Sequence, residues 1–108
     1  MDIGELAADW AERLCLPHWD IQVKVVPEAA ESSWEPGTLC AEHSGECWWN
    51  GEHGSAYILV SDKHPNPEQI LVHEMLHLRL EGHLPEPLDY NHQYERAINA
   101  IVDALLEG

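Results

Sequence analysis

The sequence predicts a small α+β domain, on three observations. Apolar residues repeat at helical spacing near the start and again from residue 66 onward. Between them they alternate, or run continuously, as in β-strands. The 108 residues suffice for one domain, 1–108, and no repeat, linker or composition shift divides them. Helix, several strands, helix, helix is an α+β order, with a mixed or mostly antiparallel sheet expected.

Each element has its own signature. Asp2 to about Leu14 reads as an amphipathic helix, with Ile3, Leu6, Ala7, Trp10, Ala11 and Leu14 on one side. Asp2 and Glu5 make a capping-box start, and Pro17 should stop the run. Trp19, Ile21, Val23 and Val25 alternate with polar residues, a half-buried strand ended by Pro27. Residues 28–36 form an acidic loop with Ser and Pro. From Gly37 to Asp62 the signal is β, with turns at Ser44-Gly45, Asn50-Gly51 and Gly54. Short strands are expected near 38–43 and 46–49, and a stronger one at 55–61. Asn66-Pro67-Glu68-Gln69 then opens a helix: Asn66 caps, Pro67 suits the first position, and Gln69 completes a capping box. It should run to about Glu81, with Gly82 as its left-handed C-terminal residue. Pro85 and Pro87 keep the next connection extended. A last helix is expected from near Asp89 to about Leu106, buried through Tyr94, Ala97, Ile98, Ile101, Val102 and Leu105.

Composition excludes several classes. Apolar residues are 44% and charged residues 23%, a globular balance and not that of a disordered chain, a collagen or a coiled coil. No apolar run approaches the ~20 residues of a membrane span. The acidic start, Met1 to Glu5, lacks the basic region and apolar core of a secretory signal, so none is expected. Five Lys and Arg face 20 Asp and Glu, for a formal net charge of −15. Such a surface repels phosphate, which argues against nucleic acid and anionic membranes and allows a basic peptide or protein partner. Cys15, Cys40 and Cys47 are too few for a disulfide framework, so a reducing, cytoplasmic setting is expected. Oligomeric state has no signature here.

Histidine is the chemical outlier, with 8 His in a chain that has no Phe. His73-Glu74-Met75-Leu76-His77 is an HExxH sequence inside the helix opened by Asn66. Residues i and i+4 share a helix face, so both imidazoles can reach one ion. Glu74, beside the first ligand, can take a proton from a metal-activated water. Zinc lowers that water's pKa towards ~7. Ile70, His73, Glu74, His77 and Leu80 or Glu81 share a stripe, next to an apolar stripe of Leu71, Met75 and Leu78.

Three residues are candidates for the third ligand. Glu95 shares a face with Ile98, Asn99 and Val102, where a carboxylate needs a compensating cation. Asn99, one turn on, can orient a ligand. His83 gives the spacing of the longer HExxHxxGxxH motif, but Leu80 stands where that motif turns on a glycine, and leucine resists the left-handed conformation. His92, one turn before Glu95, can serve as ligand or as donor to a developing oxyanion.

His73-Glu74-x-x-His77 followed by Glu95 resembles the gluzincin-type zinc metallopeptidases of minimal size. It is closest in look to small prokaryotic and phage families such as the ImmA/IrrE-like peptidases. Their Glu-x-x-x-Asn pattern ahead of an apolar helix ending in Leu-Leu is matched by Glu95 to Asn99 and Leu105-Leu106. The resemblance covers about residues 55–107, and HExxH is its specific part. It implies a zincin-like fold, one catalytic Zn2+ held by His73, His77 and Glu95, and hydrolysis of a peptide bond with Glu74 as general base. It also implies a strand before the active helix whose edge pairs with an extended peptide; Ser55–Ser61, with Ala56, Tyr57, Ile58 and Leu59, takes that place. The residue that stabilises the transition state stays open among Tyr57, Tyr90, His92 and Tyr94. Two alternatives accompany this reading. One is an acidic, non-catalytic binding module on the same fold with a structural metal. The other is a YbeY-type RNA-processing metalloprotein, which shares the 73/77/83 spacing but has a small residue in place of Glu74.

Cys40, His43 and Cys47, with His53 nearby, form a second possible zinc cluster, although Cys40 and His43 fall on opposite faces of a strand. Of Trp48 and Trp49, one is expected in the core and one at the surface.

Overall fold

The computed structural model describes residues 2–16, 18–26, 45–63, 65–82, 84 and 91–107. Among these residues, three helices and a three-stranded mixed sheet follow one another as α1 (Ile3–Arg13), β1 (Asp20–Val26), β2 (Gly45–Asn50), β3 (Ser55–Ser61), α2 (Pro67–Glu81) and α3 (His92–Glu107). This is the α+β architecture that the periodicities predict. The expected strand at 38–43 lies outside the described residues.

Asp2 caps α1 by accepting from the Glu5 amide at 2.8 Å. The helix ends at Arg13 with Leu14 as its C-cap, as expected, and the chain turns left-handed at Cys15, φ 61°. The Leu16 amide then donates to the Ala11 carbonyl at 2.7 Å, and the Leu16 side chain is buried against the core. The Trp10 indole donates to Glu68 at 2.9 Å, tying α1 to the first turn of α2.

The sheet order is β1-β3-β2, with β1 parallel and β2 antiparallel to β3. Register sets two faces. Ile21, Ala56 and Trp49 form one row across the sheet, and Val23, Ile58 and Cys47 the next. Both rows face the helices and pack on the main core of Trp10, Leu71, Val72, Met75, Leu78, Ile98 and Val102. On the other face Leu59 and Val26 form a second small cluster, while Tyr57 and Trp48, opposite each other, are exposed. Trp49 is thus the core tryptophan and Trp48 the surface one. Val25, expected inside, is 42% exposed, and Val26 is buried instead.

β3 is the central strand. Its backbone is bonded by β1 on one side and β2 on the other, so Ala56, Tyr57, Ile58 and Leu59 offer no open edge to a peptide. That expectation from the sequence is corrected. Both β2 and β3 pack on α2. A Cβ at Gly45 would collide with Ile70 and approach Glu74, and Gly51 at the other end lies near the Gly82 carbonyl. Between β2 and β3, Asn50 accepts from the amides of Glu52 and His53, and Gly54 adopts φ +66°.

Asn66 caps α2, accepting from the Gln69 amide at 3.3 Å, with Pro67 in the first turn. Gly82 is not left-handed, contrary to expectation: its φ is −62°. Glycine is required there by close packing, since a Cβ would lie 2.5 Å from the Leu78 carbonyl and 3.0 Å from the Trp19 ring. α3 starts at His92 and not near Asp89. Asn91 caps it, accepting from the amides of Gln93 and Tyr94. Its buried stripe is narrower than the sequence suggests. Ile98 and Val102 are fully enclosed, whereas Ala97 is exposed and Ile101 is 42% exposed. Among the described residues no helix is long and apolar enough to cross a membrane.

Candidate metal centre

The site forms where α2 and α3 meet. α2 buries Leu71, Val72, Met75, Leu76 and Leu78, which fixes its rotation and leaves His73 and His77 half-buried on the side towards α3. α3 docks through Ile98 and Val102, and that brings Glu95, in its first turn, over the two histidines. Glu95 Oε2 lies 3.1 Å from His73 Nε2, and Oε1 lies 3.1 Å from His77 Nε2. The two Nε2 atoms are 3.2 Å apart. One ligand atom from each of the three residues falls within 4.8 Å of the others, so the group could hold a metal ion.

Each imidazole is also held from behind. His73 Nδ1 is 3.0 Å from Asn99 Oδ1, and His77 Nδ1 is 2.6 Å from Glu81 Oε2. With Nδ1–H donated to those oxygens, both neutral rings direct their Nε2 lone pairs to the same point. Glu95 adds a carboxylate there. Three such groups repel one another unless a proton or a cation sits among them. Two imidazoles and a carboxylate are the donor set of a catalytic zinc site with a position left open. The residues therefore fit a single metal ion.

The local field is strongly acidic. Burial raises the Glu74 pKa to about 7, and the carboxylates of Glu95, Glu46 and Glu81 push the same way against His77. Burial and the neighbouring His77 lower the pKa of His73, against the pull of Glu95 and Asn99. Burial opposes charge on His77 too, but there the Glu81 hydrogen bond and the surrounding carboxylates prevail, and its pKa is raised. A dication at the centre would neutralise this excess of negative charge and hold Glu74 ionised. Ionised Glu74 of raised basicity can act as a proton acceptor near neutral pH.

Of the other residues singled out by sequence, His92 is exposed at the first position of α3 and outside the three-residue group. The Tyr94 hydroxyl donates to Glu81 Oε2 at 2.8 Å. Tyr57 is on the sheet face away from the helices. His83, Tyr90, Cys40 and His43 lie outside the described residues. Cys47 is half-buried beside α2, its thiol pushed up by burial and by Glu74 and Glu81. His53 is exposed in the β2–β3 turn.

Two features carried no role in the sequence analysis, although Glu81 shares the stripe of His77. Glu81 is 3% exposed and bonded to His77. Its i+4 spacing from His77 was a usable signal, but a glutamate near a helix end normally reads as surface. Gly45, which lets β2 approach Glu74, read only as a turn residue. Comparison of the chain with protein-family models, with curated proteins and with solved structures finds no match.

Proposed function

We propose that the chain is a small zinc-dependent peptidase. The observation that carries this reading is the convergence of His73 Nε2, His77 Nε2 and the Glu95 carboxylate at 3.1–3.2 Å, with Glu74 next in sequence to the first of them. His73, His77 and Glu95 would hold the metal. Zinc, when bound, supplies a Lewis acid that polarises a carbonyl and acidifies a water. Glu74 accepts a proton from the attacking water and returns one to the leaving amine. Asn99 keeps the His73 ring turned towards the centre. The net charge of −15 favours basic peptide segments as substrates and disfavours RNA. A reducing, cytoplasmic setting suits the cysteine content.

The test is hydrolysis of an unfolded, lysine-rich protein by zinc-loaded chain, with and without chelator. Activity lost on chelation, restored by zinc and absent in Glu74→Gln supports the reading. Equal activity in Glu74→Gln would overturn the assigned base. One observation favours a second reading: the ligands come from two helices, so the metal also joins α2 to α3. A non-catalytic binding domain would keep metal and partner binding in Glu74→Gln and show no hydrolysis in either form.

A further inference from the structure

We infer that Glu81 is a positioning residue for the metal centre, and that Tyr94 holds it in place. The inference rests on reading His73, His77 and Glu95 as metal ligands. A carboxylate buried to 3% exposure is costly unless donors satisfy it. Two donors meet on one of its oxygens. His77 Nδ1 is 2.6 Å from Oε2, and the Tyr94 hydroxyl is 2.8 Å from the same atom. The rings of His77 and Tyr94 stand edge to face, centroids 5.6 Å apart at 77°. The hydroxyl therefore limits where Oε2 can go, and Oε2 limits how His77 can rotate.

This arrangement has a chemical consequence. With the Nδ1–H of His77 donated to Glu81, the ring presents its Nε2 lone pair to the centre. The charge behind the ring makes Nε2 a stronger donor to a cation. His73 faces a neutral amide oxygen on Asn99, so the two imidazoles differ, and His77 is the stronger ligand. Tyr94 and Glu95 are consecutive in α3. Its first turn thus delivers both the third ligand, to the front of the histidine pair, and the hydroxyl that holds Glu81 behind it.

The test uses the full chain, stripped of metal and titrated with Co2+ and with Zn2+ against a chromophoric chelator. Variants are Glu81→Gln and Tyr94→Phe, each checked by circular dichroism. Glu81→Gln should bind about 10–100-fold more weakly and shift the Co2+ ligand-field bands. Tyr94→Phe should bind a few-fold more weakly. In the metal-free protein the His77 ring nitrogens should show a protonated Nδ1 in the parent and a mixed tautomer in Glu81→Gln. Binding within about twofold of the parent, with unchanged bands and tautomer, would overturn the inference. If Glu81→Gln does not fold, Tyr94→Phe decides: unchanged affinity and an unchanged His77 spectrum would overturn it. A parent chain that takes up neither metal would defeat the metal-centre reading itself, a separate outcome.

Discussion

In the proposed peptidase, Glu74 would combine two properties that respond to different experiments. As proton acceptor it should be indispensable to hydrolysis, so Glu74→Gln is expected to reduce activity by at least ~100-fold while zinc content stays at the parent level. As a half-buried carboxylate it should destabilise the metal-free chain at high pH. Its pKa is raised in the fold to about 7, above the ordinary 4.5, so the folded state binds the extra proton between those values. Stability from this group is therefore greatest in acid and is lost as pH rises towards and through 7. Metal-free Glu74→Gln is expected to be more stable than the parent at pH 8, with the difference shrinking by pH 5. Denaturant melts at the two pH values measure it. At this scale HExxH and Glu95 were legible because spacing on a helix fixes a face. Glu81 was harder to read: its partner Tyr94 reaches it only once α3 has docked.

Two glycine questions separate local conformation from packing among the elements. Cys15 holds φ 61° at the end of α1, where a side chain is unfavourable. Cys15→Gly is expected to stabilise the chain by about 0.5–1 kcal/mol, read as a higher denaturation midpoint. Gly82 has an ordinary φ but no room, so Gly82→Ala should destabilise by about 1–3 kcal/mol in the same measurement. The start of α2 was legible because Asn66, Pro67 and Gln69 are local signals; the role of Gly82 at its end was not, because that glycine serves packing. The place of β3 was not, since strand order depends on pairing between distant residues. One sign of it was present: Ile58-Leu59-Val60 is a continuous apolar run, as in a strand covered on both faces, and all three are buried. The edge was expected only from the family resemblance; the continuity of the run fits the central strand observed.

At the scale of the whole molecule, the main core and the candidate metal centre are neighbours but not the same thing. Ile98 and Val102 hold α3 on α2 through fully buried contacts, so removal of metal should loosen the helix pair without unfolding the domain. Chelation is expected to lower Tm while leaving the helical circular-dichroism signal in place. With zinc at about 1,000 times Kd, the bound state gains about 4 kcal/mol by mass action, which a thermal melt resolves easily. The charge of −15 adds a separate, screenable term. The most direct test of the metal centre is elemental mass spectrometry of the purified, dialysed chain beside Glu95→Ala. About one zinc per parent chain, with little retained by Glu95→Ala, is the expected result. A parent without metal, even after incubation with zinc and renewed dialysis, would contradict the account, leaving His73, His77 and Glu95 as a hydrogen-bonded cluster between two helices.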